Sequence, residues 1–161
     1  MNAGVMTTPL RISPHRGSTI AAWLALLFGS LGLHRFYVRD FGDWLGWLHP
    51  LPTALGLLGV HRLRTLGQDD AFAWLLTPLL GLMISQAMFT AIFYALTPDE
   101  RWDARHNPGR PTTATAWGPV LAAVLALLLG GAVLMGTVAY SGQKFFEWQF
   151  SGEPTLVGTP R

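Results

Sequence analysis

Cysteine is absent from the chain. Its absence excludes disulfides, thiol catalysis and cysteine-ligated zinc or iron–sulfur centres. Charge is scarce, with Asp, Glu, Lys and Arg making up 12% of 161 residues, against about 25% in a typical soluble domain. Net charge is only +2, and the few cations are dispersed, so the concentrated basic surface of a nucleic-acid binder is lacking. Acids are missing from residues 1–18, which carry Arg11, His15 and Arg16. The apolar run that follows does not end in a small-residue cleavage site, so it reads as a retained helix and not as a signal peptide.

What is abundant is apolar. Half the residues are hydrophobic, and they fall in blocks long enough for a bilayer core that needs about 20 residues per helix. The pattern predicts an all-α integral membrane protein of about four transmembrane helices, an N-terminal helical hairpin plus two further helices. Residues 1–17 form a polar N-terminal segment, 18–66 the hairpin, 71–97 the third transmembrane helix and 98–115 a charged loop. Residues 116–150 form the fourth helix with an interfacial aromatic tail, and 151–161 a disordered tail.

The first helix is expected over residues 19–38, with Arg35 at the interface and Phe36 and Tyr37 in an aromatic belt. The second, from residue 44, is interrupted early by Pro50 and Pro52, which remove backbone donors. Its end repeats the first: Gly29-Ser30-Leu31-Gly32-Leu33-His34-Arg35-Phe36 aligns with Gly56-Leu57-Leu58-Gly59-Val60-His61-Arg62-Leu63 at an offset of 27, with five of eight positions identical. Each copy has two glycines that permit close backbone approach. Each then has a His-Arg pair, His34-Arg35 and His61-Arg62, suited to the negative end of the helix dipole.

In the third helix Pro78 predicts a kink, and Gln86 is expected to hydrogen-bond another helix instead of facing lipid. The acids and arginines of 99–110 match no metal-ligand spacing and read as self-compensating ion pairs, with Trp102 at the level of lipid head groups. On the fourth helix, Ala122, Ala126 and Gly130, then Ala132 and Gly136, make a small-residue packing stripe. Four spans put both termini on one side. The positive-inside count is six against five, and the acid-free N-terminus places both termini in the cytoplasm.

The segment Gly29-x-x-Gly32-x-His34-Arg35-Phe36-Tyr37 resembles the signature of the two-transmembrane (TM-two) domain family. The likeness covers about residues 16–66. It departs from the family after Tyr37, where Val38-Arg39-Asp40 stands in place of an aliphatic residue and Gly, and at the end of the second helix. The resemblance implies two helices joined by a short loop, with the signature where the first helix meets that loop, in a bacterial-type protein of the inner cell membrane. It implies no biochemical activity.

Catalysis is not expected. Ser30 and His34 share a helical spacing, but no third group completes a nucleophile–base set. No catalytic, cofactor-binding or metal-ligating residue and no cofactor is assigned. The function expected is that of a non-enzymatic helix-packing and interaction module. Its partners would be membrane lipid, including anionic lipid held by Arg35 and Arg62, itself, or another membrane protein, and not nucleic acid. The alternative is a small oligomeric transporter or channel, suggested by the broken second helix, the near-repeat and Gln86.

Overall fold

The computed structural model describes residues 15–112 and 117–150. The expected polar segment up to residue 14, residues 113–116 and the expected disordered tail 151–161 lie outside the described residues. Every regular element among those described is helical: α1 (Ser18–Phe28), α2 (Leu33–Arg39), α3 (Trp44–Leu48), α4 (Pro50–Leu66), α5 (Ala71–Leu96), α6 (Asp99–His106) and α7 (Gly118–Phe150).

The continuous first helix expected over 19–38 is not formed. After α1 the chain tightens into a 3-10 turn, Gly29–Leu31, and Gly32 takes φ +80°, a left-handed conformation open to glycine at little cost. The chain then doubles back as α2. The Gly17 N–H donates to the Tyr37 hydroxyl at 3.0 Å. The Arg16 guanidinium donates to the Val38 carbonyl and, at 2.5 Å, to Asp40. Ala21 and Val38 share a buried cluster with Trp102. Both feet of this hairpin therefore stand at one end of the bundle. Its tip, at Gly29, packs on Ala87, about 13 Å along α5 from that end at 1.5 Å per residue.

Helices α3 and α4 are nearly collinear, because His49 between them keeps helical φ −58° and ψ −41°. Pro50 and Pro52 sit in the first turn of α4, where missing donors matter least. Residues 44–66 span about 34 Å and carry the chain from the hairpin feet to the far end. Helix α5 returns through Pro78 without a break, and α7 runs the full length again.

Helices α5 and α7 are long and apolar enough to cross a membrane, and only 22% and 17% of their most apolar windows are buried. Among the described residues these two helices pass that test, where four were expected. The shortfall has two causes: α1 is cut to 11 residues by the glycine turn, and α4 stops at 17 residues and carries His61, Arg62 and Arg64.

The core is built of small side chains. Ala21, Ala22, Ala25, Ala91, Ala122 and Ala126 are fully buried, so the helix axes of α1, α5 and α7 approach closely and dispersion contacts accumulate. Ala122, Ala126 and Gly130 lie in this interior, Gly130 against Met88. Ala132 and Gly136 are exposed. The aromatic tail continues α7 without a break as its last turns.

Helix α7 begins with Gly118 beside Thr19 at the hairpin end and passes Val60 and Thr77 at Tyr140. His15 and Phe150 thus lie at opposite ends of the bundle. The shared side expected for the two termini rested on four full-length helices, and residues 19–38 do not form one of them.

Candidate functional site

The break in the hairpin frees backbone groups, and the chain supplies partners for them. The Ser30 carbonyl accepts the Thr53 hydroxyl at 2.6 Å. Pro50 has no N–H to give the Gly46 carbonyl, and that oxygen faces Gly32 instead. A Cβ at Gly32 would stand 2.5 Å from it, so the Gly32 Cα–H lies against the orphaned carbonyl. Helices α2 and α3 also pack ring against backbone, with Phe36 over Gly46, stacked on Phe41 and tilted against Trp47.

His34 sits inside this knot and is 1% exposed; it is the largest fully buried side chain among the described residues. Its ring stands edge-on to His49 at 5.7 Å and 6.0 Å from Tyr94 of α5. His49 Nδ1 bonds the Leu45 carbonyl at 2.6 Å. Among the described residues His34 Nδ1 and Arg35 Nη2 are buried with no hydrogen-bond partner, an uncommon state for buried polar atoms. Ser30 lends the site only its carbonyl, and no hydrogen bond joins its hydroxyl to His34 among the described residues.

Arg35 and Arg62, the two cations expected to hold anionic lipid, are already paired. Arg35 Nε donates to Asp43 at 2.8 Å, and Arg62 makes two bonds to Asp70 at 2.7 and 3.0 Å. Each aspartate stands eight residues after its arginine and just before the next helix, so the 27-residue offset extends to the acids. Asp43 accepts the Leu45 N–H at the start of α3, a helix cap. The Arg35 hydrogen bond holds the Asp43 carboxyl below the usual carboxylate range, and Arg62 does the same for Asp70. The two clasps lie at opposite ends of the bundle.

Beyond the clasps, the repeat copies diverge. His61 is exposed where His34 is buried. Gly56 and Gly59 stay helical and press α4 onto α5: a Cβ at Gly59 would come within 2.5 Å of the Thr77 nitrogen. Tyr37 reaches back to Gly17, and Phe36 covers Gly46, so neither serves as a belt residue facing outward.

Helix α6 closes the end beside the hairpin feet. Trp102 is 3% exposed, donates its indole N–H to the Arg16 carbonyl at 2.6 Å and packs edge-on to Tyr94, so its ring is buried in protein. Asn107 bonds both the N–H and the carbonyl of Arg16 and Asp103 at 2.7 Å. The self-compensating ion pairs expected here do not form at Arg101 and Arg105. Asp103 turns inward, with Asn107 and His15, and the two arginines are exposed. Burial pushes the His106 imidazole below its ordinary range.

Gln86 does not reach another helix. It is exposed and donates to Thr90 one turn along α5 at 3.1 Å.

Tyr94, Asp43 and Asp70 were missed as site residues. The acids had a signal in the sequence, their shared spacing from the two His-Arg pairs. Tyr94 had none, since only the folding of α5 against the hairpin brings it to His34.

Comparison with protein-family models, curated proteins and solved structures finds no match.

Proposed function

We propose that the chain is a multi-pass membrane protein that acts without catalysis, as a packing and interaction module. In this reading three segments cross the bilayer, 44–66, α5 and α7, while α1 and α2 form a re-entrant hairpin reaching about mid-depth. The uncovered apolar faces of α5 and α7 support the membrane location. Residues such as Phe93, Leu127 and Leu128 are 65–67% exposed. Irregular backbone at such depth is tolerated only when buried in protein; at the hairpin tip Gly29 packs on Ala87 and Gly32 on Gly46, while the side chains of Phe28, Leu31 and Leu33 are exposed. The likeness of residues 29–37 to the TM-two signature belongs to this proposal and rests on the residues of the motif alone.

Arg16, Arg35, Arg39, Arg101, Arg105 and Arg110 belong to the hairpin end, and Arg62, Arg64 and Lys144 to the other. Among the described residues six cations against three favour a cytoplasmic hairpin end by the positive-inside rule. The end of α7 then faces outward.

The observation that carries the interaction reading is closure. Glycine contacts seal the break in the hairpin, and Arg35 beside it is paired with Asp43, as Arg62 at the other end is with Asp70. A transporter or channel is the second reading, favoured by one observation: the unpartnered His34 Nδ1 and Arg35 Nη2 at the break.

Reconstitution into vesicles separates the two readings. The expected result is no proton or monovalent-ion flux above empty vesicles, together with a discrete protein or self adduct from a photo-crosslinking residue at Leu128. Flux that His34→Ala abolishes would replace the module with a transporter.

A further inference from the structure

We propose that the groove between α5 and α6 binds an anionic phospholipid, head group at the arginines and one acyl chain along α5. This rests on the membrane reading above.

The groove encloses about 900 Å³, within the range of pockets that hold small ligands, roughly 300–1,000 Å³. Its two parts differ in chemistry. The mouth carries Arg39, Arg101 and Arg105, and no carboxylate lines it. Arg101 and Arg105 are four residues apart and share one face of α6. Among the described residues neither makes an ion pair. Arg39 approaches Asp43 only to 4.0 Å, and 63% of its side chain is exposed.

Below the mouth the wall is apolar. Phe89, Ile92, Phe93 and Leu96 line it, and Phe89, Phe93 and Leu96 are 59%, 67% and 66% exposed. From Leu96 to Phe89 the wall runs about 10 Å down α5 at 1.5 Å per residue. The back is rigid, because Trp102 is fixed by Arg16 and Tyr94.

Cations gathered at the level where a helix ends, above an exposed apolar strip directed inward, match an anionic head group and its chain. A free phosphate would use the arginines and leave the strip uncovered. Asp103 does not compete at the mouth, since it is held by Asn107.

The test is native mass spectrometry of the full chain in neutral detergent, offered dioleoyl-phosphatidylglycerol or dioleoyl-phosphatidylcholine. The wild type should retain phosphatidylglycerol preferentially. R101Q/R105Q should weaken that binding about 30-fold, the loss of two cations at an anionic surface. Arg64→Gln, an exposed arginine at the far end, should leave it unchanged.

Phe93→Ala, which shortens the wall without touching charge, should also weaken lipid binding. It gives a second route should the arginine variant fail to fold. Equal retention of phosphatidylglycerol by wild type and R101Q/R105Q would overturn the proposal. So would displacement of the lipid by millimolar inorganic phosphate, which would mark a small-anion site. Failure of the membrane reading would show separately, as release of the chain from membranes by alkaline carbonate.

Discussion

Gly32→Ala is expected to destabilise the protein by about 3 kcal/mol, the sum of a left-handed backbone penalty of about 1–2 kcal/mol and an overpacking cost of about 1–3 kcal/mol. Both contributions are anchored in one residue. Gly32 has φ +80°, and an alanine Cβ would stand 2.5 Å from the Gly46 carbonyl oxygen and 3.1 Å from the His49 Cβ. Neither neighbour can swing away cheaply, since one is backbone and the other starts at the α3–α4 junction. Gly109→Ala separates the two costs. Gly109 has φ +79° with nothing within 4 Å of a built Cβ, so it should lose only the backbone part, about 1–2 kcal/mol. Thermal unfolding in detergent, followed by helical circular dichroism, measures both. Equal losses for the two variants would show that the Gly32–Gly46 contact does not hold the hairpin to α3.

Gly56→Ala is the second large effect. In an isolated helix the change would help, by roughly 0.5–1 kcal/mol. Here a Cβ would lie 2.6 Å from the Leu80 Cβ and 2.7 Å from its Cα, with the Leu80 nitrogen also in contact. The obstacle is largely backbone, so α4 and α5 must separate, and a loss at the upper end of the overpacking range, about 3 kcal/mol, outweighs the helical gain. Gly136→Ala is the control within α7, where a Cβ meets nothing within 4 Å. That variant should be neutral or more stable by the propensity gain alone, roughly 0.5–1 kcal/mol. The same unfolding measurement distinguishes them, and a Gly56→Ala protein as stable as wild type would mean that α4 and α5 do not meet at Gly56.

The helical class was legible in the sequence because long apolar blocks leave few alternatives. Helices α5 and α7 were placed within a few residues on that basis. The hairpin was not legible. The two Gly-x-x-Gly copies look alike, yet one breaks its helix and the other packs it. What separates them is what each meets: Ser30 and Gly32 face Thr53 and the carbonyl that Pro50 orphans, whereas Gly56 and Gly59 face the intact backbone of α5. Such distinctions arise only when distant segments are brought together. The same holds for the cations. Arg35 and Arg62 looked free in sequence and are clasped by Asp43 and Asp70, while Arg101 and Arg105, which looked self-compensated, stand open because Asp103 turns inward to Asn107. The small-residue stripe of α7 divides likewise, Ala122, Ala126 and Gly130 meeting α1 and α5 while Ala132 and Gly136 stay exposed.

The most direct test of the re-entrant hairpin uses the absence of native cysteine. Single cysteines at His15, Gly42, Gln68 and Gln149, all exposed, are labelled with an impermeant thiol reagent in intact and in permeabilised cells. The hairpin places positions 15 and 42 on one side and 68 and 149 on the other. With the hairpin end cytoplasmic, only Gln68→Cys and Gln149→Cys should label in intact cells. Labelling that sets position 42 apart from 15, 68 and 149 would mean that residues 18–39 cross the membrane after all, and would contradict the re-entrant hairpin.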